Sequence, residues 1–172
     1  MNMRLVLSAM VVASILILSG CDWFGSSKKE EPKLRIVSLL EKKYFDDAHV
    51  KGGAGVEIIN IDGEDVEKVA KNWDLKVPVV TYCSNYYCRA SHGTAKKLKE
   101  LGFLNVSVYS GGIADWYQLS QKDAAYALEG PANGPAKKEF LDIVIPKPDT
   151  EAGELKIVDA QELQKAIKEA TV

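Results

Sequence analysis

This chain has few cysteines and histidines and a net charge close to zero, and these features exclude some classes of function. The 172 residues include three cysteines and two histidines, and the formal net charge is −2. His49 and His92 lie far apart and show no metal-ligand spacing with the cysteines, so no metal site is predicted. The chain has no basic stripe, no glycine-rich phosphate motif and no internal repeat. We therefore predict no cofactor and no nucleic-acid partner.

The N-terminal apolar run, Leu5–Leu18, is too short for an ordinary transmembrane helix. It follows Arg4, and residues 1–21 together are typical of a signal peptide. The end of this segment, Leu18-Ser19-Gly20-Cys21, resembles the lipobox of bacterial lipoproteins, which implies cleavage before Cys21 and lipid on its sulfur. Asp22 resembles an inner-membrane retention signal, so we expect a lipid-anchored domain on the periplasmic face of that membrane. A plain secretory peptide or an uncleaved anchor is the alternative.

The rest of the chain is predicted to form one α/β domain behind a flexible linker. Residues 22–33 are polar, with glycine, serine and proline, as is typical of a linker. Residues 34–172 are enough for a single core, and strands alternate with helices, which favours a parallel sheet flanked by helices. We predict strands at 34–40, 56–61, 77–82 and 106–109, and helices at 65–73, 90–101 and 113–119. Residues 121–155 are predicted to be irregular.

The most informative segment lies between a predicted strand and a predicted helix, and it reads Cys83-Ser84-Asn85-Tyr86-Tyr87-Cys88-Arg89. A cysteine in this position lies at the carboxyl end of the sheet, where open α/β folds place their ligands. Loop N–H groups, the N-terminus of the next helix and the charge of Arg89 all favour a thiolate. Cys83 is therefore predicted to be reactive, and Ser91 is predicted to cap the helix.

Several motifs, in order along residues 34–119, resemble those of a single rhodanese domain. The resemblance is carried by Phe45–Ala54, by Val79–Cys83, by Leu98–Val106 and by Gly111-Gly112-Ile113-x-x-Trp116. It implies a rhodanese-like parallel sheet flanked by helices, with Cys83 as the nucleophile of a sulfurtransferase.

The sequence departs from the pattern of that family at two places. Ser38-Leu39-Leu40 stands where most members have Asp-x-Arg, and the loop is Cys-x5-Arg instead of Cys-x-x-Gly-x-Arg. A subset of rhodanese-like sequences reads Tyr-Cys, four residues, Cys, two residues, Ser. Tyr82, Cys83, Cys88 and Ser91 match that subset.

The strand and helix that usually precede the equivalent of Leu34 are also missing from this chain. Lys156–Ala170 (KIVDAQELQKAIKEA) has the pattern of that missing piece. We expect the C-terminal segment to complete the sheet, as in a circular permutation. A separate terminal appendage is the alternative.

The resemblance implies that Cys83 takes the outer sulfur of thiosulfate, a persulfide or a similar donor and holds it as a persulfide. The sulfur would then pass to a thiol acceptor. Arg89 would neutralise the negative charge of the donor, and residues of the loop would bind it. These binding residues are Ser84, Asn85, Tyr86 and Tyr87.

Three other functions stay open at this point. Cys88 as a resolving thiol would make the domain a thiol–disulfide redox protein, provided that the geometry allows a Cys83–Cys88 disulfide. Cys83 with Arg89 would suit a phosphatase or an arsenate reductase, because rhodanese-like members with those activities use Cys-x5-Arg loops. The third is a binding module without turnover.

Overall fold

Five parallel strands form the central sheet, and the last of them comes from the C-terminal end of the chain. The computed structural model describes residues 30–147 and 154–172. The strand order is β3-β1-β4-β5-β7, and a separate antiparallel pair joins β2 to β6. The strands are β1 (Leu34–Ser38), β2 (His49–Val50), β3 (Val56–Asn60), β4 (Val79–Tyr82), β5 (Val106–Tyr109), β6 (Leu128–Glu129) and β7 (Lys156–Val158).

Helices cover both faces of the sheet, because successive side chains of a strand point to opposite faces. Ile36 of β1 packs in one apolar core with residues of the fourth and fifth helices, and Val37 packs in a second core beside the third helix. The helices are α1 (Lys42–Asp47), α2 (Val66–Val69), α3 (Ala90–Glu100), α4 (Gly112–Ser120) and α5 (Ala160–Thr171), with a short π-helix at Lys137–Leu141. The predicted fold class, a parallel sheet flanked by helices, is confirmed.

The C-terminal segment completes the sheet, as the sequence predicted. β7 pairs in parallel with β5, with Val158 beside Tyr109. Asp159 then begins α5 with a capping box, in which its carboxylate accepts from the backbone N–H of Glu162. Leu163 places its side chain in the core, where it is 1% exposed. The alternative of a separate appendage is therefore wrong.

Two local predictions on the other face of the sheet are wrong. The helix predicted at 65–73 ends at Val69, because the chain turns there and carries Trp73 back against the Arg35 guanidinium, 5.0 Å from the ring centre. Ser91 does not cap α3. It lies one residue inside the helix and is buried, and its carbonyl accepts a hydrogen bond from the Thr81 hydroxyl.

A buried aspartate orders the stretch that follows α4. The side chain of Asp47 is 3% exposed, and its two oxygens accept hydrogen bonds from four backbone N–H groups. The donors are Asn133, Gly134, Ala136 and Lys137. A carboxylate can be buried when such donors replace its water. Asp47 therefore fixes the start of the π-helix within a stretch that the sequence marked only as irregular.

The predictions for the N-terminus fall mostly outside the residues that the structure describes. They are the signal peptide at 1–21, the lipid on Cys21 and residues 22–29 of the linker. Lys33 donates its backbone N–H to the Gly55 carbonyl at 2.8 Å, and Glu31 forms an ion pair with the buried Arg35 at 2.7 Å. Across 30–147 and 154–172, no helix has both the length and the apolar character needed to span a bilayer.

Replacing Leu163 with alanine tests whether α5 is part of the core. We expect Leu163→Ala to lower the free energy of unfolding by about 2–5 kcal/mol, since it leaves a cavity under the helix. Lys165→Ala, on the exposed side of the same helix, is the control and should change little. Equal effects of the two substitutions in urea unfolding would contradict the assigned packing.

Replacing Asp47 with asparagine tests the hydrogen bonds that order the 132–137 segment. An amide has one acceptor oxygen instead of two, so some of the four N–H groups lose their partner. We expect Asp47→Asn to cost about 2 kcal/mol of unfolding free energy. Asp46→Asn, at the exposed neighbouring residue, is the matched control. A stability of Asp47→Asn equal to that of the control would rule out this role.

Candidate active site

Strand β4 delivers Cys83 to the carboxyl edge of the sheet. All four residues of β4 are buried between its parallel neighbours β1 and β5, and Cys83 follows directly. Cys83 is 6% exposed, and its sulfur lies 3.9 Å from the Leu39 carbonyl oxygen and 4.0 Å from the Ser84 hydroxyl. It forms a disulfide with Cys88, with the two Cα atoms 6.1 Å apart. The structure therefore describes the oxidised form of the loop.

Asn85 turns the loop so that Cys88 comes back to Cys83. The Asn85 carbonyl accepts from the N–H of Cys88 at 3.0 Å, and the Asn85 side-chain oxygen accepts from the N–H of Tyr87, also at 3.0 Å. The second bond is an Asx-type turn, in which a side chain replaces one backbone acceptor. These two bonds shape the half of the loop that carries the second cysteine.

The N-terminus of α4 holds the other half of the loop. Ile113 and Ala114 donate their backbone N–H groups to the carbonyls of Cys83 and Ser84 at 2.9 and 3.0 Å. Gly112 permits this approach, because it has a φ of +65° and a β-carbon there would lie 2.5 Å from the Cys83 carbonyl oxygen. The positive end of the helix dipole is thus directed at the Cys83–Ser84 backbone, which favours an anion nearby.

Two buried tyrosines support this edge of the sheet in their neutral form. Burial raises the pKa of Tyr82 to about 12. Burial, and then the negative charge of Asp115, also raise the pKa of Tyr109 well above its usual value. The Tyr109 hydroxyl donates to the Asp115 carboxylate at 2.6 Å. Since Tyr109 ends β5 and Asp115 lies in α4, this bond ties the helix to the sheet beside the cysteine loop.

Arg89 follows Cys88 directly and is the N-cap residue of α3. Its side chain is exposed and lines an open groove along α3 with His92, Lys96 and Lys99, and Cys83 is not among the lining residues. Within the described part of the chain, no hydrogen bond or ion pair reaches the Arg89 guanidinium. Its predicted catalytic role stays a prediction.

The other predicted loop residues surround the disulfide to different degrees. The Ser84 hydroxyl oxygen lies 4.0 Å from the Cys83 sulfur, and Tyr87 is 72% exposed at the rim. Asn85 and Tyr86 line a cleft of about 10 Å³ with Asp115, Gly111 and residues of the 143–145 segment. This volume is at the lower limit for a single water.

Ser38 and Leu40 are both buried where the family pattern has Asp-x-Arg. The Ser38 hydroxyl accepts the backbone N–H of Leu40 at 3.3 Å, and the backbone N–H of Leu39 bonds the Tyr82 carbonyl at 2.9 Å. This segment therefore supports the end of β4 through its backbone and contributes no charged side chain.

His49 has a structural position, and no metal site is present in the described ranges. Its Nδ1 lies 2.8 Å from the Phe45 carbonyl, and its ring stacks on Phe45 with the centres 4.0 Å apart. Across residues 30–147 and 154–172, no group of three or more metal-ligating side chains is arranged to hold an ion.

Sequence reasoning missed the Asp115–Tyr109 pair and the role of Asn85 as the turn residue. Asn85 carries the usual signal for such a turn, an asparagine two residues before the N–H that it accepts. No spacing rule indicates that Asp115 and Tyr109 meet, because they come from different elements.

These features define a parallel α/β domain with a cysteine loop at the carboxyl end of its central strand. The family model for the rhodanese-like domain matches residues 23–119, more than half of the chain. The chain therefore belongs to the rhodanese-like domain family. None of the curated proteins compared with the chain matches it.

Solved structures similar to this chain come from several bacteria. The Alr3790 protein from Anabaena sp. is 20% identical, over 58% of this chain and 70% of that one, with a TM-score of 0.45. The BH2092 protein from Bacillus halodurans is 20% identical, over 66% and 73%, with a TM-score of 0.47. A rhodanese with anions from E. coli is 25% identical, over 48% and 89%, with a TM-score of 0.38.

Replacing Asn85 with alanine tests whether its side chain helps to form the disulfide. Loss of the bond to the Tyr87 N–H removes about 1 kcal/mol of support for the turn, which corresponds to about a fivefold change in an equilibrium constant. In a glutathione redox buffer, we expect Asn85→Ala to shift the Cys83–Cys88 pair toward the dithiol by up to that factor, because the disulfide holds the turn more firmly than the dithiol does. Asn72→Ala, at an exposed turn elsewhere, should titrate like the unchanged protein. An unshifted equilibrium in Asn85→Ala would remove the side chain from this role.

Proposed function

We propose that the reduced protein is a sulfurtransferase or persulfide carrier in which Cys83 accepts sulfane sulfur. The observation that carries this proposal is the position of Cys83, in a rhodanese-like domain, at the carboxyl end of β4 and against the N-terminus of α4. The Cys83 thiolate attacks the outer sulfur of a donor such as thiosulfate. The S–S bond of the donor breaks, sulfite leaves with the electron pair, and a persulfide remains on Cys83.

The surroundings of Cys83 support an anionic persulfide. The Ser84 hydroxyl, 4.0 Å from the sulfur in the oxidised form, is a donor on the loop itself. The N-termini of α3 and α4 both meet this loop, and their dipoles favour negative charge. Tyr86 and Tyr87 lie at the rim of the loop, and the donor and a thiol acceptor pass them to reach Cys83. Arg89, next to Cys88 at the N-cap of α3, neutralises part of the negative charge of the donor.

A second candidate function is thiol–disulfide exchange through Cys83 and Cys88. The disulfide between them is the observation that favours it. In that case the domain passes electrons and not sulfur, and the rhodanese-like frame only presents the cysteine pair. The two candidates differ in one measurable property, which is whether sulfur is retained on Cys83.

The proposal places the domain on the periplasmic face of the inner membrane, held by lipid on Cys21. The support is the lipobox-like Leu18–Cys21 and the following Asp22 in the sequence. The sheet geometry suits this arrangement. Residues 30–33 enter at the amino end of β1, whereas Cys83 follows the carboxyl end of the parallel strand β4. The cysteine loop therefore lies at the end of the sheet opposite the point where residues 30–33 enter, which keeps it away from a tether on residue 21.

Sulfur uptake is tested on the full chain, purified in detergent, reduced and freed of reductant. With thiosulfate added, we expect Cys88→Ser to gain one sulfur atom on Cys83, because the nucleophile remains and no second loop thiol can displace the sulfur. Peptide mass spectrometry locates the added atom. The double variant Cys83→Ser, Cys88→Ser is the matched control and should gain none.

Absence of sulfur on Cys83 with thiosulfate and also with inorganic polysulfide would reject the sulfurtransferase proposal. If the unchanged chain then still cycles between dithiol and disulfide with glutathione, thiol–disulfide exchange becomes the supported function.

A further inference from the structure

Cys88 is held within bonding distance of the sulfur that the proposed function uses. Four residues separate the two cysteines, and their Cα atoms lie 6.1 Å apart, inside the range of ordinary disulfides. α4 fixes the Cys83 end of the loop through the Cys83 and Ser84 carbonyls, and Asn85 fixes the Cys88 end. Neither set of hydrogen bonds involves a sulfur atom. The loop therefore keeps the two thiols close after reduction, at a high effective concentration.

We infer that Cys88 discharges the persulfide on Cys83 and releases its outer sulfur as hydrosulfide. The inference rests on the proposed function, since it needs sulfur on Cys83. The Cys88 thiolate attacks the inner sulfur, Sγ of Cys83. A bond forms between the two Sγ atoms, the bond to the outer sulfur breaks, and hydrosulfide leaves with the electron pair. Counted over uptake and release together, from the dithiol to the disulfide, the two cysteines lose two electrons and the sulfane sulfur of the donor gains both.

The product of this step is the disulfide that the structure contains, so a reductant must restore the loop. A dithiol supplies the two electrons and becomes a disulfide itself. Cys83 is 6% exposed, whereas Cys88 is only partly buried, so an incoming thiolate reaches Cys88 more readily. Attack on Cys88 makes Cys83 the leaving group, in a position where the loop and two helix N-termini favour its thiolate. Reduction therefore returns the nucleophile directly to its reactive form.

The overall reaction is then the reduction of sulfane sulfur to hydrosulfide by a dithiol, which is oxidised to a disulfide. A persulfide carrier with one cysteine needs an external thiol to remove its sulfur. Here the second thiol belongs to the same loop, so the release step does not depend on the concentration of an acceptor.

The test is a single turnover of the full chain in detergent, reduced and freed of reductant, with thiosulfate as the donor. We expect the unchanged protein to release about one hydrosulfide per chain, trapped with a bimane reagent, and to return to the Cys83–Cys88 disulfide. Cys88→Ser should retain sulfur on Cys83 and release hydrosulfide only at background level. Cys21→Ser removes the third cysteine and leaves the loop intact, so it should behave like the unchanged protein.

The outcomes separate this inference from the proposed function. Sulfur retained on Cys83 of the unchanged protein, beside a free Cys88 thiol, would overturn the inference and leave the sulfurtransferase proposal standing. Hydrosulfide released at the unchanged rate from Cys88→Ser that has first been shown to carry sulfur on Cys83 would do the same. No sulfur on Cys83 in Cys88→Ser would overturn both. After the turnover, glutathione should form its mixed disulfide on Cys88, and an adduct on Cys83 would contradict the direction of reduction.

Discussion

The contact between the N-terminus of α4 and the cysteine loop is the constraint on which the site depends. Ile113 and Ala114 donate to the carbonyls of Cys83 and Ser84, and only a residue without a β-carbon fits at Gly112. The helix cannot shift without breaking the Tyr109–Asp115 bond, which ties it to β5. The position of the Cys83 sulfur thus follows from the packing of a helix against a strand end, and not from the loop sequence alone.

The C-terminal segment and Asp47 complete that frame from distant parts of the chain. β7 covers the outer edge of β5, the strand that carries Tyr109, and α5 packs across the sheet toward β1 and β3. Asp47 orders the 132–137 backbone that leads into the π-helix, which in turn packs against α4. Both therefore stabilise the elements that hold the cysteine loop, although neither contacts a sulfur atom.

The sequence predicts the sheet and the location of the loop because these depend on local patterns. The apolar runs of β1, β4 and β5 and the helical spacing of α3 are read directly from side-chain type. The resemblance of Lys156–Ala170 to a missing strand and helix correctly predicts the edge strand β7. The rest depends on tertiary contacts. Trp73 turns away to pack on Arg35, which shortens α2. Asp46 and Asp47 are neighbours in the sequence, so no local pattern indicates that Asp47 is buried and Asp46 is exposed. Spacing alone also left open whether Cys83 and Cys88 could meet.

Two backbone N–H groups of the longer loop are bonded within the loop itself. A Cys-x5-Arg loop that encloses a tetrahedral oxyanion needs its amides and its arginine to converge on one point. In the oxidised form the amides of Tyr87 and Cys88 are both bonded to Asn85, and Arg89 lies along α3. The extra residue therefore supports a turn that brings a second sulfur to Cys83. The oxidised loop thus does not form the cradle for a tetrahedral oxyanion on which phosphatase chemistry depends.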